Sequence, residues 1–312
     1  MTLAVVIPCY NVASHIETVV REIPHEVLWI IAVDDHSNDN TGEILQKLAG
    51  ENNRIIYIHH ETNQGVGAAM MTGYLKAISL NADIVIKIDG DGQMDSSHIH
   101  DLIKPIKENK ADFTKGNRFR DLQALRKMPI IRRIGNLGLS FLIKAASGYW
   151  NIFDPTNGFT AISRDALKNI NFKKIHKRYF FESSLLIELY HANAVVKDIP
   201  MKARYGTEIS GLSVTRAFFE FPPKLFVALI KRLVLKYFLF DFNIASLYML
   251  FGFILFFTGS IYGLLKFIQY ASSNEAAPTG TVVIPTMLII LGFQLLLSAA
   301  NYDLTNYPKK NT

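Results

Sequence analysis

The sequence of 312 residues contains one cysteine, Cys9, which excludes a framework of disulfide bonds within the chain. Charged residues are also scarce, at 19%, whereas 49% of the residues are hydrophobic. A soluble protein usually carries more charge than this. Acidic residues are outnumbered, and the formal net charge is +6. Such a balance favours an anionic partner: a phosphorylated substrate, an acidic lipid or a nucleic acid.

The N-terminus lacks the basic segment that opens a cleavable signal peptide. Met1 and Thr2 are followed directly by Leu3–Ile7, an apolar run typical of a β-strand. We therefore expect the N-terminal domain to remain in the cytoplasm.

The first part of the chain alternates short apolar runs with segments that are apolar at helical spacing. This alternation predicts a mostly parallel sheet with helices on both faces. Polar residues follow the strand ends, where open α/β sheets bind ligands. The predicted strands are Leu3–Ile7, Trp29–Val33, Ile55–Ile58, Ile84–Ile88 and Ile199–Tyr205. The predicted helices are 16–23, Thr41–Leu48 and Gly67–Ser79.

Acidic residues stand at two of these strand ends. Asp34-Asp35, taken alone, would fit a turn that caps a helix. A second acidic motif, Asp89-Gly90-Asp91, follows the fourth predicted strand, and the two motifs together favour a ligand-binding site. Two carboxylates beside glycines can approach a divalent cation and a sugar nucleotide together, because Mg²⁺ is usually held by carboxylates plus substrate phosphates. A calcium loop starting at Asp89 would need glutamate at its twelfth position, where the chain has His100.

Basic residues gather between Lys115 and Arg133, with Asp121 as the one acidic neighbour. Arg132 and Arg133 precede Ile134-Gly135-Asn136 and an apolar stretch. Because the guanidinium group suits bidentate contacts to phosphate, we interpret this segment as facing phosphate or a membrane. A solvated surface loop is the alternative.

A second basic pair, Lys202 and Arg204, falls on one side of the predicted strand Ile199–Tyr205, because side chains alternate along a strand. Arg204 adjoins a polar loop, Thr207–Ser213, that is placed to close over a bound ligand. Arg204 is therefore a candidate phosphate-binding residue, with surface solvation as the alternative.

The last third of the chain contains two long apolar segments. Ile244–Ile268 carries one charge, Lys266, and Val282–Ala300 carries none. At about 1.5 Å per residue, each can cross a hydrocarbon core of roughly 30 Å. We predict two membrane spans; a buried helical hairpin in a soluble protein is the alternative.

Basic residues flank both spans, and the loop between them has one charge, Glu275. The positive-inside rule therefore predicts that both ends of the hairpin are cytoplasmic. Phe218–Phe240 mixes apolar and basic residues, which favours a helix in the membrane interface over a third span. The flanking basic residues are Lys224, Lys231, Arg232, Lys236, Lys309 and Lys310.

Five motifs follow one another along the N-terminal part: Ile7–Asn11, Asp34-Asp35, Asn63-Gln64-Gly65, Asp89–Gln93 and Asp154–Phe159. Together they resemble the family 2 glycosyltransferases, over about the first 215 residues. Within that family, the motifs most resemble the branch of the polyprenyl-phosphate sugar synthases. The chain is thus similar to dolichol-phosphate mannose synthase and to bactoprenol glucosyltransferases.

This resemblance implies roles for individual residues. Pro8, Tyr10, Asn11, Asp34 and Asp35 would line the nucleotide pocket. Arg204, a candidate from the residues alone, is added to the donor contacts. Asp89 and Asp91 would hold the diphosphate through Mg²⁺ or Mn²⁺, with Gln93 beside them and Glu182 near the sugar. Arg118 would face the acceptor phosphate, and Asp154–Phe159, which contains Asn157, would shape the sugar and acceptor end. The residues alone add Arg132, Arg133 and Asn136 to the acceptor phosphate site. Asn117 stands where the family more often has serine.

The residue that follows Glu182 indicates whether the acceptor is a hydroxyl or a phosphate. Related enzymes that glycosylate hydroxyls carry a Glu-Asp pair whose Asp removes the acceptor proton, whereas this chain has Glu182-Ser183. An alcohol gains from such a general base. A phosphate monoester is already largely ionised at neutral pH. The missing Asp favours a lipid phosphate acceptor.

We therefore predict a GT-A-like α/β domain at 1–215, interfacial helices at 216–242 and a two-span transmembrane hairpin with a cytoplasmic tail at 243–312. The expected activity is inverting transfer from a UDP- or GDP-sugar to a polyprenyl phosphate at the inner membrane. The alternatives are transfer to a glycan or glycolipid hydroxyl and a non-catalytic membrane scaffold. Relatives suggest a homo-tetramer, and no base-stacking motif for nucleic acid is present.

Overall fold

The computed structural model describes residues 1–118, 130–201, 214–273 and 276–310, without the side chains of 130–134, 136 and 214–218. The chain divides into two compact units, Met1–Ala228 with Pro308–Thr312, and Leu229–Tyr307. The boundaries at 215 and 242 stay predictions.

The first unit is built on a seven-stranded sheet in the order β3-β2-β1-β4-β6-β5-β7. The pairs β1/β2, β1/β4, β2/β3 and β5/β7 are parallel, whereas β6 runs antiparallel to β4 and β5. The prediction of a mostly parallel sheet is therefore confirmed. The strands are β1 Leu3–Cys9, β2 Val27–Asp34, β3 Ile55–His59, β4 Ile84–Lys87, β5 Phe113–Asn117, β6 Thr160–Ser163 and β7 Val196–Pro200.

One predicted strand begins too late in the chain. The pattern predicts Ile199–Tyr205, whereas β7 begins at Val196 and ends at Pro200; positions 202–205 of the prediction lie outside the described residues. The shift follows from pairing, because β7 runs beside β5 from Phe113 to Asn117 and Pro200 stands opposite the last residue of β5.

Helices cover both faces of the sheet, which explains why every residue of β1 except Pro8 is buried. Val5 and Ile7 belong to the core on the side of α1 and α4, whereas Val6 meets Gly73 of α3 on the other face. The helices of this part are α1 Ile16–Glu22, α2 Thr41–Glu51, α3 Val66–Ser79, α4 Ile99–Lys107, α5 Ile130–Ser147, α6 Arg164–Asn169 and α7 Phe181–His191.

Three long helices follow: α8 Val214–Val234, α9 Ile244–Ser273 and α10 Thr279–Thr305. In the second unit, α9 and α10 are each long and apolar enough to cross a membrane, as predicted. Their backbones approach closely at glycines, since a Cβ on Gly292 would lie 2.5 Å from the Phe256 nitrogen. Small residues at such contacts are typical of packed membrane helices.

The second unit also contains a buried ion pair. Arg232 is 1% exposed and contacts both carboxylate oxygens of Asp303, at 2.8 and 2.7 Å. The Tyr237 hydroxyl donates to the same carboxylate at 2.7 Å. A buried guanidinium needs such partners, so Arg232 is a structural residue as well as a flanking charge.

The close contact of α3 with β1 generates a stability prediction. A methyl group on Gly73 would overlap the Val6 side chain, so Gly73→Ala should lower the free energy of unfolding by about 1–3 kcal/mol. Gly50→Ala is the matched control, because Gly50 lies in α2 with open space around it and Ala favours helix by up to about 1 kcal/mol. Thermal unfolding should show a lower Tm for the first variant only; equal Tm values would contradict this packing.

Candidate active site

The carboxyl ends of the parallel strands bring the predicted motifs to one edge of the sheet. Cys9, the last residue of β1, stands opposite Asp34, the last residue of β2. On the other side of β1, the Ile88 N–H after β4 donates to the Val6 carbonyl at 3.1 Å. The three motifs therefore adjoin one another.

Cys9 itself is a packing residue. Its thiol is 1% exposed and donates to the Ile7 carbonyl at 3.4 Å. Burial, with the nearby carboxylates of Asp34 and Asp89, raises the pKa of the Cys9 thiol well above its usual range. The thiol therefore stays protonated, which does not suit a nucleophile.

The loops after β1 and β2 are bound to each other. The Asn11 N–H donates to the Ser37 hydroxyl at 3.0 Å, and the Asn11 side-chain oxygen accepts from the Asn38 N–H at 2.8 Å. Asn11 has φ 54°, a left-handed conformation that Asn tolerates well. Asp34 accepts from the Ser37 N–H and hydroxyl, at 3.0 and 2.6 Å. Tyr10 is left 47% exposed at this edge.

Asp35 orders the loop after β3. Its carboxylate contacts the His60 ring at 2.7 Å and accepts from the N–H groups of Gln64 and Gly65, at 3.0 and 2.6 Å. His60 is also 3.0 Å from the Thr72 hydroxyl on α3. Asp35 therefore positions the Asn63-Gln64-Gly65 motif, a role that the sequence did not reveal.

A buried lysine lies beneath the Asp-Gly-Asp motif. Lys87, the last residue of β4, is 2% exposed, and its Nζ is 2.6 Å from Asp89 and 3.4 Å from Glu182. Burial alone would lower the pKa of Lys87, but the two carboxylates outweigh it and raise that pKa above its usual value. A charged Lys87 thus joins Asp89 to Glu182 at the start of α7.

The Asp154–Phe159 motif packs directly against this cluster. A Cβ on Gly158 would lie 2.5 Å from both the Asp89 carboxylate and Lys87 Nζ. Asn157 is 2% exposed, and its side-chain oxygen accepts from the Phe159 N–H at 3.0 Å. The Asn157 side chain thus stabilises the turn that places Gly158 against Asp89 and Lys87. The assignment of Asn157 to an acceptor phosphate stays a prediction.

Arg118 is attached to the same motif. Its Nε is 2.9 Å from a carboxylate oxygen of Asp154, which is fully buried, while the Arg118 side chain is 40% exposed. A second guanidinium nitrogen, Nη2, is 3.4 Å from the other oxygen of the same carboxylate, so Asp154 fixes the position of Arg118. A second buried lysine, Lys115, donates to the Asn157 carbonyl, and burial lowers its pKa to about 8 although carboxylates of Glu182 and Asp154 oppose this.

The predicted metal ligands are two acidic residues of one turn. Asp91 accepts from the Gln93 N–H at 3.0 Å, and Asp89 is held by Lys87. Among the described residues, no group of three or more His, Cys, Asp or Glu side chains could hold a metal ion. Two carboxylates still fit an ion whose remaining ligands are substrate phosphates and water.

Several predicted site residues fall outside this description. Arg204 lies outside the described residues, and Arg132, Arg133 and Asn136 lie on α5 but their side chains are not described. Their assignments to phosphate stay predictions.

Sequence reasoning also missed residues that the site uses. Lys87, Lys115 and His60 are buried polar residues that hold the motifs in place. The sequence contains one signal for Lys87, because a lysine inside a predicted buried strand needs an acidic partner.

Comparison with known proteins places this arrangement in a class. The fold is shared with a mannosyltransferase from Pyrobaculum calidifontis, solved in complex with GDP-Man and Mn²⁺, at a TM-score of 0.52 and 14% identity; the match covers 96% of this chain and 73% of that one. The first unit is thus a GT-A-like domain.

Residues 4–170 match the model of glycosyl transferase family 2, and the chain belongs to that family. It is 35% identical over 218 residues to UDP-N-acetylglucosamine–dolichyl-phosphate N-acetylglucosaminyltransferase from Methanococcus voltae, covering 66% of this chain and 86% of that protein. It is 25% identical over 228 residues to polyprenol monophosphomannose synthase from Mycolicibacterium smegmatis, covering 69% and 84%.

Asp198 generates a pH prediction. Burial raises the pKa of Asp198 to about 6, although its carboxylate accepts from the Phe153 N–H at 2.6 Å. An acid whose pKa is raised by folding binds more protons in the folded state, so stability falls as pH rises from about 4 to about 6. Asp198→Asn should remove the contribution of Asp198 to this loss of stability, so Tm measured against pH should fall less for the variant than for the parent protein.

Asp165→Asn is the control, since Asp165 is an exposed aspartate of α6 and its substitution makes the same chemical change outside the buried environment of Asp198. If Asp198→Asn kept the full fall in Tm of the parent protein across that window, the assignment would be wrong.

Proposed function

We propose that the chain transfers a sugar, with inversion, from a nucleoside diphosphate sugar to a polyprenyl phosphate at the cytoplasmic face of the membrane. The observation that carries the proposal is the packing of Gly158 against Asp89. Through this contact, the Asp154–Phe159 motif, which binds Arg118, lies next to the Asp89-Gly90-Asp91 motif, which we assign to the diphosphate. The printed activities of the relatives from Methanococcus voltae and Mycolicibacterium smegmatis support the same acceptor class.

The donor lies, in this proposal, across the ends of β1, β2 and β4. Pro8, Tyr10 and Asn11 line the nucleotide pocket, and the exposed ring of Tyr10 offers a surface for the base. Asp34 and Asp35 act at least in part by fixing the surrounding loops. Arg204, a candidate from the sequence, would contact the diphosphate as a phosphate-binding residue. UDP and GDP sugars both fit this description.

A divalent cation, Mg²⁺ or Mn²⁺, held by Asp89 and Asp91 would neutralise charge on the departing diphosphate. Gln93, whose N–H donates to Asp91 at 3.0 Å, keeps that carboxylate in the turn. Lys87 holds Asp89 from below, so the turn is fixed before the donor binds. Preorganised charge of this kind is effective because it costs no rearrangement during the reaction.

The acceptor phosphate binds on the Arg118 side, with Arg132, Arg133 and Asn136 from the start of α5. An oxygen of the lipid phosphate attacks the anomeric carbon as the bond from that carbon to the diphosphate oxygen breaks. No proton needs to leave the acceptor, because a phosphate monoester is largely ionised at neutral pH. Glu182 is fixed by Lys87 at 3.4 Å and contacts the sugar.

The apolar helices α9 and α10 anchor the chain, with both hairpin ends in the cytoplasm. Phe219, Phe226 and Val227 of α8 are exposed, whereas Phe221 and Leu225 are buried in the first unit. A helix with one face on the protein and an apolar face outward suits the membrane interface. A homo-tetramer stays a prediction from the family.

Purified protein in lipid should be assayed with UDP- and GDP-sugars against undecaprenyl phosphate and the matching lipid alcohol. We expect transfer to the phosphate only, and loss of transfer in Asp91→Asn. The variant Asp95→Asn is a control, since Asp95 belongs to the next turn, where it caps Ser96–His98. Transfer to the alcohol alone would identify a hydroxyl-directed glycosyltransferase instead.

A further inference from the structure

The outer surface of α5 exposes large apolar side chains next to the candidate site. Leu137 is 65% exposed and Phe141, one helical turn later, is 59% exposed. Phe153, in the loop that follows α5, is 62% exposed. The opposite face of α5 is buried, because Ile143 and Ala146 are inaccessible to solvent. The helix is therefore packed on one side and apolar on the other.

Pairwise contacts connect the exposed side chains of α5 to the loop that follows it. The rings of Phe141 and Trp150 meet edge to face with centroids 5.7 Å apart, and Lys144 Nζ lies 4.4 Å from the centroid of Phe153. The Ser140 hydroxyl donates to the Phe153 carbonyl at 3.4 Å, which holds the loop against the helix. We call Leu137, Phe141, Trp150 and Phe153 the α5 patch.

The basic composition of α5 favours an anionic partner for this surface. Helix α5 contains Arg132, Arg133 and Lys144 but no acidic residue. A helix that is basic in sequence and exposes apolar side chains matches the boundary between acyl chains and anionic headgroups. Aromatic rings with a lysine beside them are also suited to that boundary. A protein partner would have to supply both an apolar groove and acidic groups.

We propose that the α5 patch docks on the anionic surface of the bilayer, as a membrane contact of the first unit in addition to α8. Phe153 directly precedes Asp154, the partner of Arg118. Docking through this patch would hold the Arg118 edge of the candidate site at headgroup level, where a lipid phosphate lies. The inference needs a membrane but does not depend on sugar transfer.

The test measures lipid contact by fluorescence quenching in the full-length protein. Phe141→Cys and Leu137→Cys are labelled with a small fluorophore and placed in nanodiscs containing phosphatidylglycerol, with or without lipids that carry a nitroxide near the headgroup. Leu28→Cys is the control, because Leu28 is 48% exposed near the start of β2, at the opposite edge of the sheet. The parent protein corrects for labelling of Cys9, which is buried.

We expect nitroxide lipids to reduce emission from positions 141 and 137 and to leave emission from position 28 unchanged. Emission that is unchanged at 141 and 137 would overturn the proposal, since the patch would then be covered by another part of the chain or by a second copy. Equal loss at all three positions would overturn it as well, because the contact would not be specific to this face. Neither result depends on whether sugar is transferred.

Discussion

The buried charge of Lys87 is the constraint around which the candidate site is arranged. Its Nζ is 2.6 Å from Asp89 and 3.4 Å from Glu182, and the lysine is 2% exposed. An ammonium group removed from water is strongly destabilising without such partners. Glycine is required at position 158, because a Cβ there would lie 2.5 Å from both Lys87 Nζ and the Asp89 carboxylate. Lys87 therefore joins three segments by direct contact: the end of β4, the start of α7 and the Asp154–Phe159 motif.

Local patterns predicted the parts of the fold that local physics determines. The apolar runs identified β1 to β4, and the polar strand ends identified the edge of the sheet that carries both Asp34 and Asp89. The two long apolar segments identified α9 and α10 for the same reason. Each of these features depends on residues that are close together in the chain, which periodicity and composition record directly.

Features that depend on distant residues could not be predicted in this way. Lys87 and Glu182 are 95 positions apart, and Arg232 and Asp303 are 71 positions apart. The motif predicts that Asp35 contacts the nucleotide, and this stays a prediction; the motif gives no sign that the same carboxylate accepts from Gln64 and Gly65, which are 29 and 30 positions away. Sequence alone records that a buried charge needs a partner, but the fold selects which partner it meets.

A double-mutant cycle on Lys87 and Glu182 tests this organisation most directly. Lys87→Met should reduce the free energy of unfolding by about 3–5 kcal/mol, because it removes the buried ammonium group that contacts both Asp89 and Glu182. Adding Glu182→Gln should then restore part of that loss, although Glu182→Gln alone destabilises the parent protein. If the two substitutions were additive, Lys87 would not be the charge that holds the site together.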